Sequence, residues 1–248
     1  MIGMIDFLVQ DLRDHIAKLR AKFLTPFLPP DPAHRPQDYE HDVKAACVLA
    51  HAALEEFVER ISMHVMAVSL QRWEQERKAT DSLLALCLKY GVSLAVEDDE
   101  EKVQKTCFDL LREAIGEAKK RHSKSIQDNH GFSLKYLRAA LTPVFINPPD
   151  EIRLTESLKT LTAARGSFAH SAAKNAEFRI GSKAGRASTP LSPEDAGNAI
   201  ADCVTLCEKI AASASRLITP ATVTKIPTHV PLARKLQSRN LVRQSRRA

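Results

Sequence analysis

Apolar residues recur at the helical period along most of this chain. The first such stripe comprises Ile5, Leu8, Val9, Leu12, Ile16, Leu19 and Phe23. Spacings of three and four residues bring these side chains to one face of an α-helix. The pattern predicts an amphipathic helix here, and the prolines of the following segment "LTPFLPPDPAHRP" predict where it ends.

A second, much longer helix is predicted from about Asp38 to beyond Trp73. Its apolar stripe comprises Val43, Cys47, Ala50, Leu54, Phe57, Ile61, Val65 and Val68. A shorter helix, "TDSLLALCLKY", is expected to stop at Gly91, because glycine is common just past a helix C-terminus. The acids at the start and the bases at the end of "EDDEEKVQKTCFDLLREAIGEAKKRH" match the helix dipole and predict a fourth helix.

Turn and capping residues divide the second half of the chain. The segment "NHGFSLKYLRAAL" predicts a turn at Asn129–Gly131, followed by a helix that Ser133 caps and that closes before Pro143. After the proline connector "FINPPDEI", a helix is predicted from about Glu151 through "LTESLKTLTAARGSFAHSAA".

A last helix is predicted after the loop "GSKAGRASTPL" and runs to about Ile218. Ser192 is its candidate N-cap, Pro193 suits the first turn, and Asp195 stands where a capping box has its acidic partner. The composition agrees with helices throughout, since aromatic residues make up only 5% and there are only 8 glycines. The sequence therefore predicts an all-α helical bundle.

The net charge of +6 is concentrated near the C-terminus. Nine Lys and Arg residues but no Asp or Glu follow Glu208, so that residues 1–208 carry a net charge of −3. Residues 219–248 also contain prolines and few large apolar side chains, which is typical of a flexible tail. We therefore predict a helical domain at 1–218 and a basic flexible tail at 219–248, which is either solvated or binds RNA phosphates or an acidic partner.

Cysteine usage and hydropathy bear on the compartment and on cofactors. The five cysteines are odd in number and scattered, which favours buried free thiols in a reducing cytoplasm. No uncharged apolar run approaches the ~20 residues of a membrane span, and the N-terminus does not resemble a signal peptide. We expect a cytoplasmic protein without membrane contact. Since metal-ligand spacings and phosphate-binding glycine loops are absent from the sequence, we expect neither a metal nor a cofactor.

Arg165 and His170, in "AARGSFAHSAAK", are the strongest candidates for chemistry. An arginine can bind a phosphate through two hydrogen bonds, and a histidine can transfer a proton near neutral pH. Residues five apart in a helix are separated by about 140° around its axis, so the two are not direct neighbours. Taken alone, the spacing is typical of a surface arginine followed by a partly buried histidine.

The order of three segments changes that interpretation. A long helix beginning "DYEHDVKAACVLAHAALEEFVERI", the segment "DNHGFSLKYLRAAL", and the R-x4-H of "RGSFAHS" near the end of a helix follow one another. Together they resemble the HEPN superfamily, and more closely its RiboL-PSP-HEPN branch, over roughly residues 5–218. The resemblance implies a helical bundle that dimerises so that two R-x4-6-H motifs face each other across a cleft.

The same resemblance implies a metal-independent endoribonuclease of the kind found in toxin–antitoxin and anti-phage defence systems. Arg165 and His170 would be the catalytic pair, RNA the substrate, a homodimer the active form, and an antitoxin or defence-system protein a further partner. Many active members have asparagine directly after the arginine. Gly166 stands there in this chain, so that polar assistance would have to come from elsewhere, for example from Ser167 or Ser171.

Two further residues are candidates for supporting roles. Glu55, or its neighbour Glu56, could reach the cleft from the long second helix, or both could be solvated carboxylates with His51 and Glu55 forming an ordinary i, i+4 pair. Asn129 could contribute to the site, or the Asn-His-Gly turn could be purely structural.

Two other functions stay open on the sequence. One is a catalytically inactive HEPN-like subunit for RNA binding or assembly. The other is a helical nucleic-acid adaptor that acts through the basic tail.

Overall fold

The computed structural model describes residues 3–91, 100–129, 131–174 and 191–219, without the side chains of residues 100–108 and 167–174. The described part of the chain contains seven α-helices and two short 3-10 turns, at Thr25–Phe27 and Thr142–Val144, and no strand. The α-helices are α1 (Met4–Phe23), α2 (Pro36–Glu76), α3 (Asp81–Lys89), α4 (Glu100–Asp128), α5 (Leu134–Leu141), α6 (Ile152–Lys174) and α7 (Pro193–Ile218). The prediction of an all-α fold is confirmed.

The predicted capping residues are found at the helix ends. The Ser133 hydroxyl accepts the Tyr136 N–H at the start of α5. At α7 the Ser192 hydroxyl accepts the Asp195 N–H at 3.0 Å and donates to the Asp195 carboxylate at 2.7 Å. The capping box is therefore a variant in which the acid binds the Ser192 side chain. Helix α3 ends shortly before Gly91, as predicted, and Gly91 has the left-handed conformation with φ +60°.

Helix α2 is the centre of the bundle. It has 41 residues, which corresponds to a length of ~60 Å, and it packs against each of the other six described α-helices. Its buried side chains extend from Val43 to Ser69 and form one continuous core with those of α1, α6 and α7. Because so much of α2 is buried, its polar side chains must find partners on other segments.

One such polar network joins α2, α4, α5 and the residue that directly follows α3. The Ser62 hydroxyl donates to the Ala140 carbonyl at 2.6 Å and lies 2.9 Å from Nε2 of the buried His122. Since the only hydroxyl proton of Ser62 is used, Nε2 carries the imidazole proton, and Nδ1 accepts from the Tyr90 hydroxyl at 3.1 Å. Burial lowers the pKa of His122 from 6.5 to about 4. This imidazole is therefore neutral at physiological pH.

The cysteines behave as predicted where their side chains are described. Cys47, Cys203 and Cys207 are buried free thiols, and Cys87 is a partly buried one. Burial raises the pKa of Cys47 to about 11 and that of Cys203 to about 12, which keeps both thiols protonated and unreactive. The side chain of Cys107 lies outside the described residues.

The described residues between 3 and 218 form one compact unit. Thr219 is the last described residue, so that the predicted flexible tail at 219–248 stays a prediction, and most of the predicted loop before α7 also lies outside the described residues. Among the described helices, none combines the length and the apolar character that crossing a membrane requires.

The neutral, buried His122 predicts acid destabilisation of the fold. An unfolded histidine binds a proton as the pH falls through about 6.5, whereas His122 in the folded state resists protonation until about 4. The free energy of unfolding should therefore fall by about 2 kcal/mol from this residue alone between about pH 7.5 and about pH 5. Urea unfolding at the two pH values measures the change.

The His122→Gln variant is the control for this prediction, because glutamine keeps a polar side chain there but does not titrate. Its loss of stability on acidification should be smaller than that of the wild type by the same amount. Equal acid dependence in the two proteins would contradict the assignment.

Candidate functional site

An open groove of about 550 Å³ lies where α2, α4 and α6 meet. Helix α2 contributes three glutamates to its wall, Glu55, Glu56 and Glu59. The end of α4 contributes Gln127, and α6 contributes Arg165. The Arg165 side chain is exposed. The arginine of the R-x4-H pair therefore lines a groove between three helices.

The turn between α4 and α5 lies next to this groove and contacts the helices around it. The Gly131 N–H donates to the Glu55 carboxylate, and the Phe132 N–H donates to Nε2 of His51 at 3.0 Å. The Thr162 hydroxyl of α6 lies 2.8 Å from the Phe132 carbonyl and 2.8 Å from the Leu158 carbonyl of its own helix, so that these two acceptors share its one proton. The turn therefore connects α2 to α6 through Phe132, one helical turn before Arg165.

The backbone conformation of residue 131 explains why the turn has a glycine at this position. Its φ is +145°, a conformation that residues with a Cβ rarely adopt. This conformation aims the Gly131 N–H at Glu55, whose side chain is only 15% exposed. The interpretation of Glu55 as a solvated carboxylate is therefore wrong: it is a partly buried acceptor that holds the turn and lines the groove.

His51 is buried beneath Glu55 in the neutral form. Its Nδ1 lies 3.6 Å from Oε2 of Glu55, and its Nε2 accepts the Phe132 N–H. Burial, and secondly the positive charge of Arg165, lower the pKa of His51 from 6.5 to about 4. Because Nε2 is the acceptor, the neutral ring carries its proton on Nδ1, on the side of Glu55.

Glu59 is held in a similar way, one turn further along α2. The Tyr136 hydroxyl of α5 donates to Oε1 of Glu59 at 2.7 Å. Burial and the Glu59 carboxylate raise the pKa of this tyrosine far above its usual range, so that its hydroxyl stays protonated and can donate to Glu59 at neutral pH. Two of the three groove glutamates therefore have fixed positions.

The other candidate residues are distributed as follows. His170 lies on α6, five residues after Arg165, but its side chain is outside the described residues, as are those of Ser167 and Ser171. Glu56 is 68% exposed, and its carboxylate lies 3.6 Å from the Arg60 guanidinium.

Asn129 is an exposed residue at the end of α4. Its side-chain nitrogen donates to the Ser125 carbonyl at 2.8 Å, so that it caps the C-terminus of α4, and it does not line the groove. His130, the middle residue of the predicted turn, lies outside the described residues.

Gly166 has open space beside it in the described part of the chain. A Cβ at this position would meet no described atom within 4 Å. Space is therefore available beside Arg165 for a side chain.

Sequence reasoning missed His51 as a site residue. It was interpreted only as an i, i+4 neighbour of Glu55, although it lies directly next to Ala50 in the apolar stripe of α2. A histidine on the apolar face of a helix is a signal of a buried polar contact, but its partner, Phe132, is 81 residues away and has no spacing signature.

Comparisons with known proteins agree with the described helices. A family model described as RiboL-PSP-HEPN matches residues 8–215, which extend from α1 to the last turn of α7. No curated protein and no solved structure matches the chain.

The two glycines of this region should respond oppositely to alanine. Gly166→Ala should raise the free energy of unfolding by about 0.5–1 kcal/mol, because it favours helix α6 and meets no described atom. Gly131→Ala should lower it, because φ +145° is strained for alanine and the N–H bond to Glu55 would be displaced. Chemical denaturation of both variants measures the difference. A destabilised Gly166→Ala variant would mean that a neighbour fills that space.

Proposed function

The chain belongs to the RiboL-PSP-HEPN family, and on this basis we propose that it is a metal-independent endoribonuclease that acts as a toxin or phage-defence effector. Arg165 and His170 are its proposed catalytic pair. The alternative is a HEPN-like subunit without catalytic activity that binds RNA or takes part in assembly.

The position of Arg165 is the observation that most strongly supports a catalytic function. Its guanidinium is exposed in a groove whose other wall is fixed by hydrogen bonds of Glu55 and Glu59. A guanidinium in such a position can bind two oxygens of a phosphate and stabilise charge that develops there.

The chemistry follows from the side chains of the pair. His170 removes the proton of the ribose 2′-hydroxyl, and the 2′-oxygen attacks the adjacent phosphorus while Arg165 binds the phosphate oxygens. The bond from phosphorus to the 5′-oxygen breaks, and the protonated His170 returns the proton to the leaving oxygen. The products are a 2′,3′-cyclic phosphate and a 5′-hydroxyl, and DNA is not a substrate because it lacks the 2′-hydroxyl.

Cleavage of RNA tests this proposal. Purified protein should cut RNA in the presence of a chelator and leave cyclic phosphate ends, and His170→Ala and Arg165→Ala should each reduce the rate by at least about a hundredfold. Expression of the wild type should slow bacterial growth, and expression of His170→Ala should not. Cleavage that requires a divalent metal, or toxicity that survives His170→Ala, would reject the mechanism.

Two other outcomes identify the alternatives. A folded protein that binds RNA or assembles but cuts no class of RNA would be the inactive subunit. Deletion of residues 219–248 tests the third possibility, a nucleic-acid adaptor that acts through the basic tail. Such an adaptor would lose RNA binding without the tail, whereas the proposed enzyme would still cleave RNA.

The proposed active form is a homodimer with a shared cleft, and the groove between α1 and α2 is the surface we assign to the second copy. This groove adjoins the Arg165 groove, since Ala52 and Glu56 line both. Leu49, one of its lining residues, is an exposed apolar side chain. A second copy bound here would bring the two Arg165 grooves together.

The charges in the α1–α2 groove suit a two-fold contact. Asp11 and Glu56 are acidic, whereas Arg60 is basic and pairs with both. A surface that carries both signs can complement an identical surface after rotation, which is the requirement of a two-fold interface. A partner of a single charge sign would fit this groove less well.

Analytical sedimentation of a Leu49 variant tests whether this surface is the dimer interface. Leu49→Glu should turn the dimer into a monomer and strongly reduce cleavage, because it puts a charge into a 42% exposed apolar contact. Leu88→Glu, at an 82% exposed leucine of α3, is the matched control and should stay dimeric. A dimer that persists in Leu49→Glu would place the interface elsewhere.

A further inference from the structure

We propose that His51 positions Arg165, and that it does so as a neutral hydrogen-bond acceptor for the turn between α4 and α5. The inference rests on the proposed function, because Arg165 matters most as a phosphate-binding group. His51 does not touch the substrate in this proposal. Its effect reaches Arg165 through backbone and through Glu55.

The first route runs through the backbone of Phe132. Its N–H donates to His51 on α2, and its carbonyl accepts from Thr162 on α6. Thr162 and Arg165 are three residues apart, so their side chains are neighbours on the helix surface. Phe132 therefore transmits the position of His51 on α2 to the helical turn that carries Arg165.

The second route runs through Glu55. Its carboxylate accepts from the Gly131 N–H and lies 3.6 Å from Nδ1 of His51, in the same groove wall that faces Arg165. Glu55 and Arg165 line the same groove, so that the Glu55 carboxylate contributes a negative charge of fixed position to the surroundings of the guanidinium. His51 and Gly131 together set that position.

The geometry specifies which atom of residue 51 is needed. The Phe132 N–H requires an acceptor at the position of Nε2. The side-chain oxygen of glutamine reaches about as far from the backbone as Nε2 does, whereas that of asparagine reaches only about as far as Nδ1. Glutamine can thus replace the acceptor, and asparagine cannot.

The chain also contains a matched control. His122 is buried like His51, its pKa is likewise lowered to about 4, and both of its ring nitrogens have partners. Its partners, Ser62 and Tyr90, do not line the groove. A role that is only structural would make substitutions at the two histidines equivalent.

The experiment compares His51→Gln, His51→Asn and His122→Asn in the full-length protein. Thermal unfolding first establishes how much each variant is destabilised and that each is folded at the assay temperature. RNA cleavage then gives kcat and KM. In parallel, the Arg165 Nε–Hε signal is followed by ¹⁵N NMR, after assignment by its loss in Arg165→Lys.

We expect His51→Asn to lower kcat by at least about tenfold with a smaller change in KM, and to shift or broaden the Arg165 signal. His51→Gln should keep kcat within about threefold and leave the signal in place. His122→Asn should lower the unfolding temperature but change neither kcat nor the Arg165 signal appreciably.

Equal effects of His51→Asn and His122→Asn, or an Arg165 signal that no His51 variant changes, would overturn the inference. If the wild type cuts no RNA, the proposed function fails, but the NMR comparison still decides whether His51 positions Arg165. The two failures are therefore distinguishable.

Discussion

The helical body depends on the burial of α2, which packs against every other described α-helix. Burial on so many sides supplies the apolar contacts that hold the bundle together, but it also removes water from the polar side chains of α2. His51, Glu55, Glu59 and Ser62 are satisfied by groups that lie between 60 and 81 residues further along the chain. These contacts place the α4–α5 turn, and with it one side of the groove.

The local features of the fold could be predicted from the sequence because their causes are local. Ser133 and Ser192 cap the helices that follow them, and Gly91 adopts the left-handed conformation after α3. The apolar stripes of α1 and α2 are buried as their periodicity indicates. The family could be recognised because its motifs are also short and ordered along the chain.

The contacts around the groove could not be predicted, because they join segments that are distant in sequence. The pair of His51 and Glu55 was visible as an i, i+4 spacing, but only the folded chain brings Gly131 and Phe132 to it. Asn129 had two open roles, and its side chain caps α4. The position of the Arg165 side chain could not be predicted from the hydrophobic periodicity either, because that pattern indicates only which side chains are buried.

The two-sided attachment of Phe132 limits how related chains can differ in length. An insertion between Asp128 and Ser133 would carry the N–H and the carbonyl of this residue away from two helices at once. The exposed connector at residues 29–35 has no such double attachment, and a longer loop there costs little free energy. Insertions and deletions should therefore collect in connectors of that kind, whereas the number of residues between the end of α4 and the N-cap of α5 should stay constant.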